Sequence, residues 1–129
     1  MKHKEIKVLM VEPGKHPREV TIGSDLDSLQ KAVSVGCDYQ GLIEIVGLED
    51  GVCILCNEEA KLIGLEGNRR LGTDIIAGVF YIVGENGRGD LISLTDKQME
   101  KYRKRFCKPE QFTPAEISRL LFAIFNAGW

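Results

Sequence analysis

The sequence has only two histidines, and its 17 basic residues nearly balance its 19 acidic ones. The resulting net charge of -2 provides no global field to attract nucleic acid or an acidic membrane. The longest mostly apolar run, residues 75–83, is much shorter than the about 20 residues that a transmembrane helix needs. Nothing at the start resembles a signal peptide. We therefore expect one cytoplasmic protein without a membrane segment.

The four cysteines lack the arrangement of a disulfide framework or a zinc site; they are Cys37, Cys53, Cys56 and Cys107. Without a secretory signal, the thiols are expected to be reduced. Cys53 and Cys56 are separated by three positions in a strand-like segment, so their side chains should point to opposite faces of a sheet. No second pair with matching spacing follows. We predict core cysteines, no metal and no other cofactor.

Signatures of catalysis are scarce as well. His3 and His16 lie near polar ends of segments, and no nucleophile elbow or Cys–His arrangement is recognisable. The triplet at residues 13–15, P-G-K, lacks the other glycines and the Ser or Thr of a phosphate-binding loop. The chain is therefore predicted to be non-catalytic. One enzymatic alternative uses Glu12 or Glu58 as an acid or base on a nucleotide-like substrate.

The stretch from Asp74 to Gly84, D-I-I-A-G-V-F-Y-I-V-G, is the most apolar part of the chain. Its β-branched and aromatic residues favour a strand. Because the run has no polar position from 75 to 83, it predicts a central strand that is covered on both faces. Strand patterns also occur at residues 5–12, 18–22, 42–48, 52–56 and 91–94, whereas residues 67–72 read as a polar loop. The predicted fold class is α+β, with a mainly antiparallel sheet of five or six strands and three helices.

Capping signals place the three helices. Ser24 offers an N-cap for the first helix, and Thr95 with Gln98 forms a capping box for the second. Thr113 with Glu116 forms another capping box before an apolar C-terminal helix. We therefore predict an α+β domain at residues 1–109 and a helical extension at residues 110–129, which packs on the domain or serves as an interface, including a homodimer interface. Its candidate partner-binding residues are Phe122, Phe125 and Trp129.

Several motifs recur together in a family of proteins. They are V-E-P-G-K at 11–15, C-N-E-E-A-K-L-I-G-L at 56–65, N-R at 68–69, D-I-I-A-G-V-F at 74–80 and S-L-T-D-K-Q at 93–98. With these motifs the chain resembles a bacterial domain-of-unknown-function family of short proteins, carried largely by phages, plasmids and conjugative elements. The resemblance covers approximately Ile6 to Pro109, and Ala60 stands where glycine is expected. It implies a mobile-element context with an anti-defence or accessory role, and it transfers no catalytic residues.

The polar residues of these motifs are candidate ligand-binding residues; they are Glu12, Lys15, Asn57, Glu58, Asn68 and Arg69. One interpretation gathers them at one end of the sheet, where Asn68 and Arg69 donate to an anion and Glu58 orients the arginine. In the other interpretation, the asparagines satisfy turn backbones while Glu58 and Arg69 form a surface ion pair. The partner predicted from the first interpretation is a host protein or a small anionic ligand.

A third possible function concerns the helix at residues 97–108, which carries lysines on one stripe at positions 97, 101, 104 and 108. This stripe could contact nucleic-acid phosphates in a nucleic-acid-binding accessory protein. Alternatively, it is a solvated face whose cations complement the C-terminal end of the helix dipole. The negative net charge and the absence of interleaved aromatic residues favour the solvated face.

Overall fold

The computed structural model describes residues 4–38 and 40–117. Within them the elements are β1 (Glu5–Val11), β2 (Arg18–Gly23), α1 (Leu26–Val33), β3 (Ile43–Gly47), β4 (Val52–Asn57), β5 (Gly67–Leu71), β6 (Asp74–Ala77), β7 (Phe80–Glu85), β8 (Leu91–Ile92) and α2 (Asp96–Arg105). A third helix begins at residue 114, and its residues 114–117 are described. The predicted α+β fold is confirmed.

The main sheet has the strand order β2-β1-β7-β4-β3, and β8 pairs with the end of β7. Each neighbouring pair is antiparallel, so Ile82 of the central strand β7 lies opposite Leu9 on one side and Ile54 on the other. Strands β5 and β6 form a separate antiparallel pair, which we call the β5–β6 hairpin. The prediction of a mainly antiparallel sheet of five or six strands is correct.

Both faces of β7 are buried, as its apolar sequence predicts. On one face, Phe80 and Ile82 join a core cluster that includes Met99, Tyr102 and Phe106 at α2. On the other face, Tyr81 and Val83 pack in a second cluster with Leu29 and Val33 of α1. Alternate side chains of β7 therefore pack into two different core clusters, one on each face of the sheet.

The apolar run at residues 75–83 is not one strand, and this corrects the prediction. Its first part belongs to β6 in the hairpin, and its second part is β7 in the main sheet. The chain changes sheet at Gly78, whose φ of +74° lies in the left-handed region; a Cβ there would lie 2.8 Å from Leu65 Cδ1, so the end of the Leu65 side chain would have to shift. A glycine inside an apolar strand pattern is the local signal of such a break.

Three further details of the structure test the sequence predictions; two are confirmed and one is wrong. Cys53 and Cys56 lie in opposite core clusters, as their spacing predicts. The capping box at Thr95 and Gln98 is present. The predicted cap at Ser24 is wrong by one residue, because Asp25 caps α1 and its carboxylate accepts from the Ser28 N–H at 3.0 Å.

No helix of the described part of the chain is long and apolar enough to cross a membrane.

The break between β6 and β7 can be tested at Gly78. Gly78→Ala should lower the free energy of unfolding by about 2 kcal/mol, because a Cβ would meet left-handed backbone strain and would also displace the end of the Leu65 side chain. Gly87→Ala is the matched control, since Gly87 has φ +80° and no atom within 4 Å of its Cβ position; it should cost about 1 kcal/mol. Urea unfolding of both variants measures the difference, and equal losses would contradict the tight packing at Gly78.

Candidate functional site

Asn68 lies at the start of the β5–β6 hairpin and is completely buried. Its Nδ2 donates to the carbonyls of Val11 and Gly78, both at 2.8 Å. One carbonyl belongs to the end of β1 and the other to the residue at which the chain changes sheet. Because buried backbone oxygens need donors, the side chain of Asn68 joins the hairpin to the main sheet.

Arg69 is also buried, with 1% of its surface exposed. Its Nε donates to the carbonyl of Phe106 at 3.0 Å, Nη1 donates to Asn68 Oδ1 at 2.7 Å, and Nη2 donates to the carbonyl of Lys15. Burial lowers the pKa of Arg69, whereas nearby Glu110 and Cys107 act in the opposite direction. The guanidinium therefore connects the hairpin to the β1–β2 turn and to the end of α2.

The structure places Glu12 and Lys15 beside this buried pair, at the same end of the sheet. Glu12 forms ion pairs with Arg18 at 3.1 Å and with Lys15 at 3.7 Å, and both cationic side chains are mostly exposed. Four of the six candidate residues are thus close together. The hydrogen bonds of Arg69 go to carbonyls and to Asn68, so the predicted pairing of Glu58 with Arg69, either as an orienting contact or as a surface ion pair, is wrong.

Asn57 lies on the α1 side of the sheet. Its Oδ1 accepts from the N–H of Glu59 at 2.8 Å, and its Nδ2 donates to the carbonyl of Val33 at 3.4 Å. The first bond closes a turn of the kind that asparagine side chains form with their own backbone. This contact agrees with the interpretation that Asn57 satisfies a turn backbone.

A cleft of about 460 Å³ opens between β3–β4 and the β5–β6 hairpin. Its apolar residues include Val46, Ala60, Leu62, Leu71, Ile75, Ile76 and Ala77. Its polar residues include Glu44, Asn57, Glu58, Lys61 and Asp74. We call this feature the acidic cleft. Its volume and largely apolar lining are typical of sites that bind small molecules or side chains.

The charges of the acidic cleft do not balance. Lys61 pairs with Asp74, and the remaining carboxylates, Glu44 and Glu58, take part in none of the ion pairs found among the described residues. Both glutamates are exposed. The cleft therefore repels an anion and attracts a cation. The sequence motif at residues 56–65 contains Glu58 and Lys61, but the sequence pattern predicts a loop at β5 and a strand continuous with β7 at β6, so it does not predict the hairpin that faces them.

A Cys–His contact that the sequence did not reveal lies near Arg69. His16 Nδ1 is 2.7 Å from the carbonyl oxygen of Cys107 and 4.0 Å from Cys107 Sγ. A carbonyl oxygen only accepts, so Nδ1 carries the proton and cannot remove one from the thiol. This geometry does not make a nucleophile and base pair. Within the described residues, no group of three or more His, Cys, Asp or Glu side chains could hold a metal ion.

The basic stripe of α2 is partly neutralised. Lys101 contacts Glu49 at 3.4 Å and Asp50 at 3.1 Å, and Lys104 contacts Glu100 at 3.3 Å. Such exposed pairs contribute little to stability, but they reduce the positive potential that phosphates would meet. The contacts are those of a solvated helix face that also holds the β3–β4 turn.

The candidate partner-binding residues Phe122, Phe125 and Trp129 lie outside the described residues. The segment before them contacts the hairpin: Glu110 accepts from the backbone N–H of Arg70 at 2.9 Å, and the Arg70 guanidinium lies 5.3 Å from the Phe112 ring centre. Whether the extension covers the domain or forms an interface stays a prediction.

These contacts define a small α+β domain with a two-sided sheet and a hairpin held beside it. The chain belongs to the family described as Domain of unknown function (DUF3846), which matches residues 6–107. This range agrees with the extent of the resemblance expected from the motifs. None of the curated proteins and none of the solved structures matches the chain.

The structural role of Arg69 can be tested by replacing its planar group. Arg69→Lys should lower the free energy of unfolding by about 3 kcal/mol, because one ammonium cannot reach the three separated acceptors and leaves buried carbonyls without donors. Arg70→Lys is the matched control on the next position of β5, where the side chain is 51% exposed, and it should change stability by less than about 0.5 kcal/mol. Guanidinium unfolding measures both; equal losses would contradict the assigned role.

The buried thiols predict a loss of stability at alkaline pH. Burial raises the pKa of Cys53 to about 11 and that of Cys56 to about 12, whereas an unfolded chain has a thiol pKa of about 8.5. Above that pH the unfolded state loses these protons first, so stability should fall by about 2 kcal/mol or more between pH 8 and pH 10. Urea unfolding at both pH values measures it. In a variant with both Cys53→Ala and Cys56→Ala, the loss of stability between pH 8 and pH 10 should be much smaller. An unchanged loss would show that other titrating groups cause it.

Proposed function

We propose that this chain is a non-catalytic binding module of mobile-element origin, and that it binds a host protein in the acidic cleft. The observation that carries this proposal is the cleft itself, about 460 Å³ in volume with a mostly apolar lining. At its rim Leu62 is 58% exposed, and exposed apolar side chains beside a concave site favour association with another protein. The origin in a mobile element and an anti-defence or accessory role rest on the motif resemblance, and the cytoplasmic location rests on the sequence expectation.

The charges favour a protein partner over the small anionic ligand. The carboxylates of Glu44 and Glu58, which form no ion pair among the described residues, would repel an anion in the cleft, whereas a Lys or Arg side chain of a partner would be attracted. Elsewhere, the donors of Asn68 and the Nε and Nη1 donors of Arg69 that an anion would need are bonded within the protein. The basic stripe of α2 gives weaker support to nucleic-acid binding because Lys101 and Lys104 already have carboxylate partners.

The proposal is tested with two apolar residues of similar exposure, Leu62 and Val35. Peptides that bind the wild-type protein are selected from a random displayed library, synthesised and measured by fluorescence anisotropy. Leu62→Arg, at the cleft, should weaken their binding at least tenfold, because it removes apolar contact and adds a cation where a partner cation is expected. Val35→Arg is the control, since Val35 is 53% exposed, does not line the acidic cleft and lies outside β3; it should leave affinity within twofold. Enrichment of no peptide, or equal effects of both variants, would overturn the proposal.

A further inference from the structure

Strand β3 forms one edge of the main sheet, because β4 is its only sheet neighbour among residues 4–38 and 40–117. The pairs Leu42 with Glu58 and Leu48 with Val52, which flank it, are hydrogen-bonded at 2.9 Å. In an antiparallel pair, hydrogen-bonded and non-hydrogen-bonded positions alternate. The backbone groups of Glu44 and Val46 therefore point to β4, and the N–H and C=O groups of Ile43, Ile45 and Gly47 point away from it.

This outer edge of β3 is open within the described part of the chain. The backbone groups of Ile43, Ile45 and Gly47 have no hydrogen-bond partner there. The side chain of Ile45 is 59% exposed, and no atom lies within 4 Å of a Cβ built on Gly47. Unpaired donors and acceptors in a row are a template on which another extended segment can pair.

The two faces of β3 border different clefts. Glu44 and Val46 line the acidic cleft. Ile45 lines a second cleft of about 520 Å³ on the α1 side, together with Leu26 and Leu91, and Leu26 is 66% exposed. The second cleft contains one lysine and one aspartate, Lys4 and Asp90, so its charges balance. A strand added to this edge would therefore have acidic surroundings on one face and apolar surroundings on the other.

We propose that β3 binds an extended segment of a partner protein as an additional strand, in which basic and apolar side chains alternate. The basic side chains project toward Glu44 and Glu58, and the apolar side chains pack beside Ile45 and Leu26. Main-chain hydrogen bonds supply affinity that is independent of sequence, and the two clefts supply specificity. This inference rests on the proposed function, because it states how the partner enters the acidic cleft.

The probe is the capped octapeptide T-K-V-K-V-K-V-T, titrated into the ¹⁵N-labelled full chain at low salt and followed by amide chemical shifts. The expected result is saturable shifts at residues 43–47 and at cleft residues, with a Kd in the millimolar range or below. The peptide T-E-V-E-V-E-V-T has the same alternation with opposite charge, and it should bind at least tenfold more weakly. Equal binding of the two peptides, or no shift at residues 43–47, overturns the proposal.

Backbone methylation of the peptide tests strand addition directly. In an antiparallel arrangement the valines face Ile45 and their N–H groups bond to β3, so N-methylation of the valines should abolish binding while N-methylation of the lysines is tolerated. A parallel arrangement reverses the two results. Tolerance of both modifications overturns strand addition.

Protein variants test whether the carboxylates of Glu44 and Glu58 attract the basic side chains of the peptide. Glu44→Gln with Glu58→Gln should weaken the lysine peptide about fivefold. Glu5→Gln with Glu19→Gln, two exposed carboxylates at β1 and β2, is the matched control and should change affinity less than twofold. Equal effects of the two pairs would show that only net charge matters and would overturn the placement of the basic side chains.

Hydrogen exchange tests whether the β3 edge is already occupied by another part of this chain or by a second copy of the protein. The amides of Ile43, Ile45 and Gly47 should exchange rapidly in the free protein and slowly with the lysine peptide. Slow exchange without peptide overturns the proposal, because the edge is then already paired by this chain or by a second copy, and dependence on protein concentration identifies the copy. If these tests fail while Leu62→Arg still weakens the selected peptides, the cleft binds partners without strand addition. If Leu62→Arg has no effect, the proposed function itself fails.

Discussion

The hydrogen bonds of a buried asparagine and arginine fix the position of the β5–β6 hairpin relative to the main sheet. Burying a guanidinium costs solvation free energy, and this cost is offset only where its donors meet acceptors in suitable geometry. Here the carbonyls of Phe106 and Lys15 and the side chain of Asn68 provide those acceptors. The carbonyls of Phe106 and Lys15 lie outside the hairpin, and so does the carbonyl of Val11 that accepts from Asn68. These three bonds form together when the hairpin docks in the observed position. The acidic cleft is the space which that position leaves beside β3.

The cleft opens at β3 because the sheet is not covered uniformly. All six residues of β4 are buried, whereas β3 has no fully buried residue. Ile76 of the hairpin packs in the core cluster over β7 and β4. On the same face, β3 presents Glu44, which an apolar covering would have to desolvate without a cationic partner. A covering that closed over the last strand would therefore have to bury this carboxylate.

How far the sequence predicted the structure depends on which residues carry the information. The apolar residues of β7, the three-residue spacing of Cys53 and Cys56 and the capping box at Thr95 each act through local geometry, and each was predicted correctly. Strand β5 was read as a loop because its buried positions hold Asn68 and Arg69. Polar residues indicate burial only when their distant acceptors are known, and those acceptors lie up to 57 positions away in the sequence.

The candidate site was predicted less well for the same reason. Motif residues with hydrogen-bonding side chains were interpreted as ligand donors, but Asn68 and Arg69 use those donors to hold the fold together. The acidic cleft contains only Asn57 and Glu58 of the six candidates. Its other polar residues, such as Glu44 and Asp74, become neighbours only when the hairpin docks. No pattern within either segment indicates that they meet.

The two edges of the main sheet differ in a way that bears on binding. Edge strands expose unpaired backbone groups, and proteins commonly protect them with charged side chains. On β2 the sequence begins with Arg18 and Glu19, both exposed, and Arg18 is held by Glu12. On β3 the outward-facing backbone groups belong to three uncharged residues, Ile43, Ile45 and Gly47. The one charged side chain of the strand, Glu44, lines the acidic cleft. Among the described residues, the β3 edge therefore lacks the charged side chains found at the start of β2, and it lies beside the acidic cleft.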